Sequence, residues 1–133
     1  MKRYEHLGWP MITFLREPIK RHISEYSMLQ RTRPKVFARY KSIIDFCKKE
    51  NRINIETKML GGDLGKFSFV GVTEKYDESV NRFSKFLGVN ISSYKSLNVA
   101  PNTLNIDKKI LEKLRDINQE DMKLYNDALR MYK

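Results

Sequence analysis

The stretch "TFLREPIKRHISEY", residues 13–26, decides how the chain is read. An apolar run rich in strand-forming residues, "PMITFL" at 10–15, ends inside it and predicts a short buried strand. Arg16 and Glu17 follow. Pro18 then suits the first turn of a helix, where its missing N–H would have no partner anyway, and Glu17 is favoured by the positive end of the helix dipole. Ile19, Ile23 and Tyr26 recur at i, i+4 and i+7, which predicts a helix with one core-facing stripe and leaves Lys20, Arg21 and Ser24 away from the core. A strand end, a guanidinium and a helix start together meet the needs of an anion site. The helix offers N–H groups and its dipole, and the planar fork of Arg16 can hold a phosphate through two N–H groups at once. Ser24, about two turns in, adds a hydroxyl. The same residues also suit pairing with the nearby carboxylates Glu17 and Glu25, so their spacing leaves both readings open.

Outward from this stretch the pattern is mostly helical. Residues 32–51, "TRPKVFARYKSIIDFCKKEN", open near a proline and carry Val36, Phe37, Tyr40, Ile44 and Cys47 at helical spacing, which predicts one second helix. The glycines Gly61, Gly62 and Gly65 break the chain into a loop, after which a second strand is expected from Phe67 to about Thr73. Tyr76, Val80, Phe83 and Leu87 mark a third helix, stopped by Gly88. Residues 89–105 are polar and read as an ordered loop, in which Tyr94 and Lys95 either face a ligand or are simply solvated. Two further stripes, Ile106, Ile110, Leu114, Ile117 and then Met122, Tyr125, Leu129, Tyr132, predict two helices broken near "INQED". The expected layout is β-α-α-β-α-α-α. Two strands rarely make a self-sufficient α/β core, so the sheet reads as part of a larger one.

At 133 residues, 41% of them hydrophobic, the chain suits one domain, 1–133, with a core of its own. The net charge of +10 predicts attraction to phosphates, sulfates, acidic polysaccharide or nucleic acid. No nucleic-acid motif is visible, so that last partner rests on charge alone. Cys47 is the only cysteine and sits at helical spacing from apolar neighbours, as a small buried thiol does. With His6 and His22 it makes too few ligands for a zinc constellation, and no metal is expected. No run approaches the ~18 apolar residues of a membrane span, and "MKRYEHLGWPM" has no apolar signal region, so a cytoplasmic protein is the default expectation.

The segment "FLREPIKRHISEY", residues 14–26, resembles the 3′-phosphate-binding segment of sulfotransferases that use 3′-phosphoadenosine 5′-phosphosulfate (PAPS). That pattern is an apolar strand, Arg, an acidic residue, Pro, an aliphatic, any residue, Arg, two residues, Ser, any residue and an aromatic. Arg16, Glu17, Pro18, Ile19, Arg21, Ser24 and Tyr26 match it throughout. "INIETKMLGG" (53–62) resembles the family's Asn/Gln-Thr-basic-x-Leu-x-Gly segment. "FVGVTEKYDESVNRFSKFLG" (69–88) is similar to its Gly-x-Thr-Glu strand and following helix. Residues 97–128 resemble its Asn-containing loop and final helices ending in Asp-x-x-Leu-Tyr. The arrangement is most similar to carbohydrate sulfotransferases of the heparan 2-O-sulfotransferase-like group.

The resemblance implies an α/β, partial P-loop-kinase-like sulfotransferase fold, mostly helical, with two or so short parallel strands. It implies PAPS as co-substrate and a carbohydrate hydroxyl as acceptor. Arg16 and Ser24 would hold the nucleotide's 3′-phosphate, and Arg21 would either join them or brace the helix through an acidic neighbour. Lys95 and Asn98 would lie near the adenosine or the acceptor cleft, and Thr73 and Glu74 would be structural. The family's phosphosulfate loop and its His or Glu base lie upstream of the 3′-phosphate motif, and "MKRYEHLGW" matches neither. His6 and His22 are expected in packing or surface roles. The expectation is therefore a sulfotransferase-like chain incomplete by itself, with a homo-oligomer or a complementing chain among its partners. The alternative is a non-catalytic relative that binds anions or glycans.

Overall fold

The computed structural model describes residues 10–89 and 106–132. Strand β1, Ile12–Leu15, runs into helix α1, Pro18–Thr32, with Pro18 in its first turn as expected. Two short helices follow, α2 at Pro34–Phe37 and α3 at Ile43–Lys49, then α4 at Ile55–Leu60 and a 3₁₀ turn at Leu64–Lys66. Strand β2, Phe69–Val72, passes through a second 3₁₀ turn, Thr73–Lys75, into α5, Tyr76–Leu87. Helices α6, Lys108–Ile117, and α7, Gln119–Arg130, complete the described chain. The two strands are parallel, with Ile12 opposite Phe69 and Leu15 opposite Val72. The mostly helical layout with two short parallel strands is as the sequence suggests.

Three local expectations change. The predicted second helix is two pieces because Ser42 is extended, with φ of −164°, and its hydroxyl accepts the Asp45 N–H at 3.2 Å. Asp45 in return accepts the N–H of Lys41, one residue before the cap, at 2.9 Å, so a reciprocal pair akin to a capping box restarts the helix at Ile43. The second strand is shorter than Phe67 to Thr73, because 3₁₀ turns close on it from both sides. Helix α4 occupies a segment that showed no apolar period. Gly88 ends α5 as expected, in a left-handed conformation with φ of 72°, while the Val89 N–H reaches back to the Ser84 carbonyl at 3.1 Å.

The core has two parts. Leu15, Val70 and Val72 from the sheet pack with Leu60, Leu64, Phe67 and the α7 residues Leu124, Tyr125 and Ala128. Ile19 and Tyr26 of α1 pack with Ile43, Ile44, Phe46, Cys47 and Leu114. Along the final helices the chain passes from the second part to the first between Leu114 and Leu124. The residues at that crossing, Asn118 and Asp121, are polar and fully buried.

The outer face of β1 is open: Ile12 is 41% and Phe14 42% exposed. Phe14 packs against Phe69, with ring centroids 5.6 Å apart, and against Phe83 at 5.8 Å. It lies flat over Gly71, where an added Cβ would meet the ring at 2.3 Å. Gly71→Ala is therefore expected to lower stability by about 1–3 kcal/mol in urea unfolding, by pushing Phe14 off its neighbours. The double variant Phe14→Ala/Gly71→Ala should lose less than the sum of its single changes. Simple additivity would contradict this packing.

Candidate anion site at the end of the first strand

The parallel register brings the ends of both strands out side by side, so residues 16–17 and 73–74 emerge together. The Glu17 N–H donates to Glu74 Oε1 at 2.9 Å. The Tyr125 hydroxyl donates to the same oxygen, also at 2.9 Å. Glu74 thus ties the end of β1 to α7, in the structural role expected of it, while Thr73 beside it is exposed. Burial and the Glu74 carboxylate push the Tyr125 hydroxyl well above the usual tyrosine range.

Helix α1 begins differently from the expected anion cradle. The Glu17 carboxylate accepts the N–H groups of Ile19 at 3.2 Å and Lys20 at 2.8 Å. The Arg21 N–H takes the Glu17 carbonyl at 3.0 Å, and Pro18 has none to give. The chain's own carboxylate therefore occupies the amides that a phosphate would use. Any anion here is held by side chains.

Of the three side chains singled out, two have no partner among the described residues. The half-buried Arg16 makes no side-chain hydrogen bond or ion pair among the described residues, and the hydroxyl of half-buried Ser24 makes no hydrogen bond among them. Arg21 shares a face of α1 with Ser24, one turn away, but turns inward rather than away from the core. Its Nη1 lies 2.9 Å from Glu56 Oε1 and its Nε 3.4 Å from Glu25 Oε1. Burial lowers the affinity of this guanidinium for its proton, yet the two carboxylates outweigh that and raise its pKa. Arg21 is a brace in this structure.

Glu56 is 2% exposed, so burial raises its pKa even with Arg21 alongside. Its backbone, with that of Thr57, is held by Asp121. One Asp121 oxygen accepts the Glu56 N–H at 3.2 Å, and the other accepts the Thr57 N–H and hydroxyl, both at 2.7 Å. In return the Asn54 side chain accepts the Asp121 N–H at 3.1 Å. Asn118 Oδ1 accepts the Asn54 N–H at 2.9 Å, and its Nδ2 donates to the Leu114 carbonyl at 2.8 Å. Helices α4 and α7 thereby cap one another through Asn54, Asn118 and Asp121.

His22 closes this network from α1. Its Nε2 lies 3.1 Å from Asn118 Oδ1, and because that oxygen can only accept, Nε2 carries the hydrogen. Nδ1 is buried without a partner among the described residues. Burial lowers the His22 pKa, with Asn118, Glu25 and Asp121 opposing and Arg21 reinforcing the shift. The imidazole is a neutral packing group, as its place inside the helix suggested.

Cys47 is fully buried, and burial pushes its thiol up to about 12, which removes it as a nucleophile at neutral pH. Among the described residues no group of three or more His, Cys, Asp or Glu side chains is placed to hold a metal ion, and no helix is long and apolar enough to cross a membrane. His6, Tyr94, Lys95 and Asn98 lie outside the described residues.

Comparison with protein-family models, with curated proteins and with solved structures finds no match to this chain.

Sequence reasoning gave no structural role to Glu56, Asn118 or Asp121, although Asp121 opens the Asp-x-x-Leu-Tyr segment. A signal was present in the repeated spacing Asn54-x-x-Thr57 and Asn118-x-x-Asp121, the interval of a helix cap and its third residue.

The buried imidazole gives this network a pH signature. Below about pH 6.5 an unfolded histidine takes up a proton that folded His22 resists, so stability falls with pH there by up to about 1.4 kcal/mol per unit. Glu56, held above 4.5, acts in the opposite direction as pH falls toward that value. His22→Gln keeps an N–H for Asn118 but does not titrate. Urea midpoints at pH 7.5 and 5.5 should therefore fall further apart in the native protein than in the variant. The same separation in both would contradict the assignment.

Proposed function

We propose that the chain is the 3′-phosphate-binding portion of a PAPS-dependent carbohydrate sulfotransferase with a P-loop-kinase-like fold. In this reading Arg16 and Ser24 hold the nucleotide's 3′-phosphate at the end of β1. The observation that carries it is the meeting of the four family-like segments around that strand end. Residues 14–26 reach 53–62 through Arg21 and Glu56, and 69–88 through Glu17 and Glu74. The final helices join both, through Asp121 to Thr57 and Tyr125 to Glu74. Segments chosen by motif alone, and distant in sequence, are bonded through motif residues: Arg21, Thr57, Glu74, Asp121 and Tyr125.

Arg16 supplies the charge-assisted fork and Ser24 a neutral hydroxyl, while Arg21 keeps α1 in place. A dianionic phosphate fits the available guanidinium, and the neighbouring Glu17 carboxylate favours a ligand approached from the Arg16 and Ser24 side. PAPS would supply the sulfonate to be transferred. These residues bind and orient one end of it, and sulfuryl transfer also requires cations on the developing charge and a base for the acceptor hydroxyl. The burial of His22 excludes it as that base. A complementing chain or further sequence would bring the reacting end. A non-catalytic relative that binds anionic glycans is the second reading, favoured by the capped start of α1.

Calorimetric titration with adenosine 3′,5′-bisphosphate and adenosine 5′-monophosphate separates these. The bisphosphate should bind at least about tenfold more tightly. Arg16→Ala should weaken it by about tenfold to a hundredfold, and Ser24→Ala by roughly three- to tenfold, with folding unchanged. Arg21→Ala should instead lower stability, because it strands buried Glu56. Equal affinity for the two nucleotides, or an Arg16→Ala variant that binds normally, would overturn the nucleotide reading.

A further inference from the structure

Against the backbone of Arg16 lies a buried charge with too few partners. Glu56, 2% exposed, presents one carboxylate oxygen, Oε1, to two donors: Arg21 Nη1 at 2.9 Å and, more distantly, the Arg16 N–H at 3.5 Å. Its other oxygen, Oε2, is buried and accepts no hydrogen bond among the described residues. A carboxylate keeps its charge in an interior only where donors surround it. Half of Glu56 is so supplied.

The groups that face it from the other elements bring one positive charge. On α7, Asp121 is a second carboxylate, spent on the Glu56 and Thr57 N–H groups and the Thr57 hydroxyl, and the Tyr125 hydroxyl is given to Glu74. On α1, the neutral His22 is turned to Asn118, and Arg21 is divided between Glu56 and Glu25, its Nε 3.4 Å from Glu25 Oε1. One guanidinium thus serves two carboxylates, and burial holds the Glu56 pKa above its ordinary value. Arg21 is also the member of this group with a way out. Its side chain is 30% exposed against 3% for Glu56, and it shares a face of α1 with Ser24. When Arg21 turns, Glu25 keeps Arg52 Nε at 3.7 Å.

We propose that Glu56 is a proton-linked positioning residue of the anion site: when a dianion binds at Arg16 and Ser24, Arg21 swings from Glu56 toward it and Glu56 takes up a proton from solvent. The proposal rests on the reading of Arg16 and Ser24 as the binding pair. The two donors on Glu56 Oε1 already place Arg21 beside the Arg16 backbone, and a dianion attracts the nearest guanidinium that can move. The neutral carboxyl left behind is the form that an interior favours. Arg21 is then a brace in the chain alone and a ligand contact in the complex. Linkage fixes the sign: a proton taken up on binding makes the anion bind more tightly as pH falls. The gain spans the pH range, above 4.5, in which Glu56 is ionised without ligand and protonated with it.

The test is calorimetric titration of the whole chain with adenosine 3′,5′-bisphosphate at about pH 6.5, in two buffers of different ionisation enthalpy, which counts the protons taken up. The native chain should take up at least about 0.3 proton more per ligand than Glu56→Gln, a comparison in which the ligand's own ionisation near pH 6 cancels. At about pH 7.5 Glu56→Gln should bind about three- to tenfold more tightly than the native chain, the gap should narrow as pH falls, and adding Arg21→Ala should remove the gain. Carbon-13 NMR of the native chain decides the matter without a variant: saturation with ligand should raise the Glu56 midpoint by at least about 0.5 pH unit. Inorganic sulfate, a dianion throughout this range, separates the proposal from the reading it rests on. Proton-linked sulfate binding with equal affinity for the bisphosphate and adenosine 5′-monophosphate would overturn the nucleotide reading alone. Preference for the bisphosphate with equal proton uptake in chain and variant, or with an unmoved Glu56 midpoint, would overturn the proposal alone. Binding of neither anion would overturn both.

Discussion

The Asp121 carboxylate, fully buried in the first turn of α7, takes up the N–H groups of Glu56 and Thr57 and the Thr57 hydroxyl. A buried carboxylate is unfavourable unless such partners surround it, and the start of a helix supplies them. Asn54 and Asn118 return the arrangement, so two helices whose capping residues stand 64 positions apart begin in each other's hydrogen bonds. The six-residue α4 is too short to be stable alone. Its place in the fold comes from this exchange, and with it the position of Glu56.

From Glu56 the constraint passes to the surface. The carboxylate holds Arg21, Arg21 fixes the rotation of α1, and Glu74 joins the Glu17 amide to Tyr125. What remains at the end of β1 is set by what these bonds consume. Glu17 has closed the helix start and Arg21 is tied to Glu56 and Glu25, while the side chains of Arg16 and Ser24 make no hydrogen bond among the described residues. In the proposed reading, selectivity would rest on the planar fork of one guanidinium.

Much of the frame was legible because it follows short-range rules. The apolar run before Arg16, Pro18 at a helix start, Gly88 at a helix end and the stripes through Leu114 and Tyr125 all express local periodicity or backbone preference. The split at Ser42 was also local, in a Ser-x-x-Asp cap hidden within a continuous apolar pattern. Helix α4 was not legible that way. Its six residues present no stripe, one of its buried positions is Glu56, and its cap comes from Asp121. Of the expected site residues, Arg16 and Ser24 are half-buried and make no side-chain hydrogen bond among the described residues. Glu25, four residues on in α1, offered Arg21 a carboxylate that local spacing encodes, but its closer partner, Glu56, lies 35 residues away and no spacing within α1 points to it.

The mutual capping of α4 and α7 is tested most directly by a double-mutant cycle of Asn54→Ala and Asp121→Ala, read by urea unfolding. Reciprocal capping predicts that the two changes are coupled by at least about 1 kcal/mol, the double variant losing less than the sum. Effects that add to within about 0.3 kcal/mol would mean that the residues act independently, and would contradict the central place given to this exchange.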